Sequence, residues 1–188
     1  GTFMSYLVRK ADNFLLEWKS NSDRYPLIIK GARQVGKTET IRKFAQANYK
    51  NVIEINFITE PVYKSIIEEG FSTDSITKLI SRIDPSKHFS AGDTLIFFDE
   101  IQDFPEIATS LKFFKEDGRF DVICSGSLLG VQYHRIASIS VGYKIDYQMY
   151  SMDFEEFLWA KGYSEDTMND MTSHMLTHTP FSSTEHNI

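Results

Sequence analysis

Between residues 31 and 38 the chain reads Gly-Ala-Arg-Gln-Val-Gly-Lys-Thr, two glycines around four residues and then Lys-Thr. This is the Walker A pattern, and the chemistry it serves dictates its residue types. Gly31 and Gly36 permit backbone conformations closed to other residues. The N–H groups of the loop, through Ala32, Arg33, Gln34 and Val35, can therefore turn inward on phosphate oxygens. A helix beginning at the loop adds its positive end to that cradle. Lys37 then reaches the β- and γ-phosphates of ATP, and the Thr38 hydroxyl coordinates Mg2+. Four fixed positions match by chance about 4 times in 100,000 per site, below about 1% over this chain. Arg33 and Gln34 are not specified by the pattern and read as solvated loop residues. Lys37 is expected to pack against little when the site is empty.

A second constellation is Leu95-Ile96-Phe97-Phe98-Asp99-Glu100, an apolar run closed by two carboxylates. Open α/β sheets bind ligands at the carboxyl ends of their strands, which would bring Asp99 beside the glycine loop. There it would hold Mg2+ through water and orient Thr38. Glu100, one residue on, would polarise a water attacking the γ-phosphate. A run of this kind is often only a strand entering a turn; the loop upstream gives it meaning. Ser125-Gly126-Ser127 ends another apolar run, and Ser125 is the leading candidate for sensing the γ-phosphate. The competing reading is a tight turn in which Ser127 caps a helix before Leu128 and Leu129.

The elements that must position these groups follow from periodicity. Leu7, Ala11, Phe14, Leu15 and Trp18 predict an amphipathic helix over residues 4–19. Strands are expected at Leu27–Ile29, Val52–Phe57, Leu95–Phe98, Val122–Cys124 and Tyr143–Tyr150. Helices are expected from Thr38 to Tyr49, around Val62–Ile67, around Ile76–Ile83, through Ile107, Leu111 and Phe114, and from Leu128 to Tyr133. Asp153 and Glu156 form a capping-box pair ahead of Phe157 and Leu158. Strands alternating with helices predict an α/β fold around a mainly parallel sheet. Three segments are expected: an N-terminal helix and linker over 1–24, a nucleotide-binding domain over 25–163, and a polar tail over 164–188. Ser, Thr, His and Asn fill 11 of the last 17 positions, too polar a stretch for a packed core. His174 and His178 share the spacing of metal ligands but lack a third, so a solvated tail is the better reading.

A net charge of −6 argues against gripping nucleic acid with the whole surface. One cysteine, Cys124, excludes an internal disulfide framework and suits a reducing, cytoplasmic setting. No apolar stretch approaches the ~20 residues that span a bilayer.

Together these residues resemble the AAA+ superfamily of P-loop ATPases. More closely they resemble a prokaryotic family of predicted ATPases that usually carries a further C-terminal domain of unknown function. The matching stretches are FLLEWK, PLIIKGARQVGKT, TLIFFDEIQ, ICSGSLLG, VGYKI and MDFEEFLWA, running from Phe14 to Ala160. The resemblance implies Gly31, Gly36, Lys37 and Thr38 as phosphate and Mg2+ ligands. It likewise implies Asp99 and Glu100 as metal-orienting and catalytic carboxylates, and Ser125 as the first sensor. It also implies a five-stranded sheet in the order 5-1-4-3-2.

The chain departs from that pattern in lacking a complete helical lid, and the family's members are longer, which reads as truncation. Arg135 stands where an arginine finger often sits. Two functions remain open: an ATPase that drives conformational change in an attached or partner domain, and a switch that binds ATP or ADP with negligible turnover. Glu100 favours the first and disfavours a P-loop kinase. The partner, protein or nucleic acid, is unspecified, and a homo-oligomer is compatible with the pattern.

Overall fold

The computed structural model describes residues 2–32, 36–128 and 131–150, and for residues 2–9 the backbone alone. Five strands lie among these residues: β1 (Leu27–Lys30), β2 (Asn51–Asn56), β3 (Thr94–Asp99), β4 (Asp121–Gly126) and β5 (Ile145–Gln148). Every pairing is parallel, and the order is β2-β3-β4-β1-β5. This is the expected order read from the opposite edge, with the sheet wholly rather than mainly parallel. The α-helices are α1 (Thr2–Ser20), α2 (Lys37–Asn48), α3 (Thr73–Ile83), α4 (Ser110–Asp117) and α5 (Val131–Ile139).

Parallel strands need crossovers, and these place helices on both faces of the sheet. That is why the strands are apolar on both sides. Along β3, Leu95 and Phe97 face one layer while Ile96 and Phe98 face the other. The first layer holds Ala11, Leu15 and Trp18 of α1 with Ile41 and Phe44 of α2. Phe14 stacks on Tyr147 of β5 at 4.7 Å between ring centres, so α1 is fixed to the sheet's edge strand. Fully burying a side chain such as Leu15 stabilises by about 1.5–3 kcal/mol. The second layer buries Ile76, Leu79 and Ile80 of α3, Leu111 and Phe114 of α4, and Ile136 of α5.

Three expectations are corrected. The stretch around Val62–Ile67 is a 3-10 helix, Pro61–Ile67, rather than an α-helix. Three residues per turn put its buried side chains, Tyr63 and Ile66, on one line. The helix expected through Ile107 is two pieces, a 3-10 turn over Pro105–Thr109 that feeds α4. Leu128 opens no helix but drops into the core, and the helix after β4 is described over Val131–Ile139. Ser127 therefore caps no helix among the described residues. The paired residues Asp153 and Glu156, the histidines His174 and His178, and the tail over 164–188 lie outside the described residues.

Candidate functional site

The register of the sheet brings the chemistry together. Asn56 at the end of β2 pairs with Asp99 at the end of β3, and Lys30 at the end of β1 pairs with Gly126 at the end of β4. The glycine loop leaves β1 here and returns as α2. Gly36 begins that helix at φ 84, in the left-handed region where a side chain would be strained. Of the loop, Gly31, Ala32, Gly36, Lys37 and Thr38 are described; Arg33, Gln34 and Val35 lie outside the described residues.

Asp99 is the hub. It is 2% exposed, and its two carboxylate oxygens receive three donors. Thr38 Oγ1 donates to Oδ2 at 2.9 Å, Ser125 Oγ to Oδ1 at 3.1 Å, and the Glu100 N–H to Oδ1 at 2.9 Å. Burial pushes the Asp99 carboxyl above the usual carboxylate range, against the downward pull of Thr38 and Ser125. Loop, β3 and β4 are thus joined through one carboxylate. Ser125 is fully buried, with its hydroxyl engaged by Asp99. The hydroxyl of Ser127 is buried and has no hydrogen-bond partner among the described residues.

Lys37 departs from expectation. Its ammonium is buried and donates to the carbonyls of Gly31 at 2.8 Å and Ala32 at 2.9 Å. The lysine thereby ties α2 back to two carbonyls at the start of its own loop.

A cleft of about 390 Å³ opens over these groups, lined by Gly36, Lys37, Thr38 and Glu39 on one side and Asn56, Ile58, Thr59 and Glu100 on the other. Glu100 has φ 58, the one positive value at a non-glycine among the described residues. That conformation is uncommon for a residue with a side chain, and it turns Glu100 into the cleft while Asp99 stays beneath.

The donor set fits a hard divalent cation, because the Thr38 hydroxyl and the Asp99 carboxylate are oxygen ligands in hydrogen-bond contact. No cluster of three or more His, Cys, Asp or Glu gathers among the described residues. Such an ion would take its remaining ligands from phosphate and water, the usual arrangement for Mg2+.

Sequence reasoning missed four residues here. Asn56, Ile58 and Thr59 reach the cleft only through the pairing of β2 with β3. Gln102 lies in a 3-10 turn (Ile101–Asp103) just past β3 and contacts Glu100, at a position no periodicity marks. Arg135, the finger candidate, lies on α5 with its guanidinium bonded to Glu106 of the same chain at 2.5 Å.

A protein-family model described as an AAA domain matches residues 23–158. Among solved structures, a chain in the structure of Drosophila ORC bound to DNA is similar at 10% identity and a TM-score of 0.49, covering 79% of this chain and 94% of that one. A chain in the structure of C. elegans PCH-2 is similar at 13% identity and a TM-score of 0.43, covering 88% of this chain and 49% of that one. No curated protein matches.

Proposed function

The chain belongs to the AAA domain family of nucleotide-binding ATPases, and from that premise we propose that it binds Mg-ATP in the cleft above Asp99 and hydrolyses it. The observation that carries the proposal is the junction at Asp99, where the loop hydroxyl of Thr38 and the β4 serine Ser125 meet one buried carboxylate. Glycine loop, metal-orienting acid and sensor strand must meet in this way for a γ-phosphate to be held and read.

In this reading the backbone from Gly31 to Thr38 cradles the phosphates, and Lys37 supplies charge to them. Thr38 and Asp99 would hold Mg2+, which would neutralise phosphate charge. Ser125 fixes the orientation of Asp99. Glu100 lines the same cleft and takes the proton of the attacking water as its oxygen bonds to the γ-phosphorus. ADP leaves as the departing group. We further propose that this cycle drives conformational change in an attached or partner domain. No helix among the described residues is long and apolar enough to cross a membrane.

Single-turnover cleavage of radiolabelled ATP tests the reading. Glu100→Gln keeps the shape of the side chain and removes its charge, so the rate should fall by about 10²–10⁴-fold while ATP stays bound. A variant that cleaves as fast as the parent removes Glu100 from the mechanism. A folded parent that binds ATP and never cleaves it makes the site a nucleotide-dependent switch.

A further inference from the structure

We propose that Gln102 is a positioning residue for Glu100, bracing the carboxylate against the end of β4; the proposal rests on the ATPase reading above. The Gln102 amide serves two partners at once, one as donor and one as acceptor. Its Nε2 donates to Glu100 Oε2 at 2.5 Å, and its Oε1 accepts from the Ser127 N–H at 3.2 Å. An ionised carboxylate only accepts and a backbone N–H only donates, so the partners fix which way the amide points. Glutamate at 102 would set two carboxylates against each other, and asparagine is one methylene too short to span both.

Glu100 needs such a brace. Its backbone sits at φ 58, ψ 48 after the end of β3, and its side chain lines the open cleft. The amide ties it to Ser127, one residue past β4. The strand that carries Ser125 is thereby linked to the catalytic carboxylate as well as to Asp99. Movement at the end of β4 would be felt by Glu100.

Gly126 gives independent support. A Cβ built there lies 2.6 Å from Gln102 Oε1 and 3.3 Å from Ile101 Cγ1. Glycine at this position is what admits the Gln102 amide. Since the closest atom is the far end of a flexible side chain, Gly126→Ala can be accommodated by displacing that amide rather than the backbone.

The test uses Gln102→Met, which keeps the length and removes both hydrogen bonds, together with Gly126→Ala. Displacing a catalytic group by around an ångström costs up to about 10²-fold. Both variants should lose about 10- to 100-fold in single-turnover rate while their affinity for Mg-ATP stays within about twofold of the parent. Combined with Glu100→Gln, Gln102→Met should slow the reaction no further, since its effect passes through Glu100. A purely structural role would lower affinity and melting temperature together and would add to Glu100→Gln. Either result overturns the proposal, as does an unchanged rate in both variants. Hydrogen exchange at the Ser127 amide, expected to quicken in Gln102→Met, separates the two levels. Faster exchange in Gln102→Met, with a parent that shows no turnover, means that the brace exists and the ATPase reading fails, and the positioning role of Gln102 in catalysis fails with it. Unchanged exchange in Gln102→Met, with a parent that hydrolyses ATP, overturns the brace alone.

Discussion

Replacing Lys37 by alanine should weaken the protein itself as well as its hold on nucleotide. The Lys37 ammonium donates to two carbonyls of its own loop, Gly31 and Ala32, from a side chain only 6% exposed. A hydrogen bond to a charged group contributes about 1.5–3 kcal/mol net. Ala32 is exposed, so its carbonyl recovers water in the variant; Gly31 is buried, so its carbonyl does not. One of the two bonds therefore counts nearly in full. Freeing the lysine side chain returns up to about 1.5–2 kcal/mol of rotamer entropy, which offsets part of the loss. The net cost is about 1–2 kcal/mol, or roughly 2–8 °C in melting temperature for a chain of this size. Calorimetry with a slowly hydrolysed ATP analogue should show affinity falling at least about tenfold, or 1.4 kcal/mol. Lys37→Met keeps the stem and removes the charge, so it should reproduce most of both effects. A melting temperature within about 1 °C of the parent would refute the reasoning from the loop carbonyls. Unchanged affinity would refute the phosphate-loop assignment itself.

Two further predictions concern the scaffold. Asp121 Oδ2 accepts from both Arg24 Nε at 2.8 Å and the Tyr49 hydroxyl at 2.6 Å, at the end of the sheet away from the cleft. Asp121→Ala orphans that hydroxyl and should cost about 2–4 kcal/mol in urea unfolding, against about 1 for Tyr49→Phe. The double variant should fall short of their sum, and additivity within about 0.3 kcal/mol would count against the network. Asp117 is held below the ordinary carboxylate range chiefly by its hydrogen bond from Arg119. Its contribution is present above the ordinary value and lost as pH falls through the lowered one. Denaturant unfolding of the parent and Arg119→Met should therefore differ at neutral pH and converge in acid; a difference that persists in acid would refute this.

Much of this architecture was legible because the signals were local. The two-sided apolar run Leu95–Phe98 announced a covered strand, and the two glycines with Lys37 and Thr38 announced the loop. What escaped depends on register and on turns. Asn56 joins the cleft because β2 lies parallel to β3, a pairing between segments about forty residues apart. Gln102 meets Glu100 only because the chain turns through a left-handed residue at position 100. Leu128 is expected to open a helix and lies in the core instead, since an apolar residue reads the same in either role. Lys37 misled for a related reason: a lysine in a phosphate loop suggests a free charge, and nothing in the sequence says that its own carbonyls hold it.

The left-handed backbone at Glu100 also bears on how this protein responds to selection for stability. Glycine, and to a lesser degree asparagine, would adopt φ 58 with less strain than glutamate. A screen that ranks variants by melting temperature alone would drift toward those residues at position 100 and so remove the carboxylate that the proposed mechanism needs. Glutamate at such a position works against the thermal robustness of its own turn. Any programme to harden the protein should hold that residue fixed and look for its gains on the far side of the sheet.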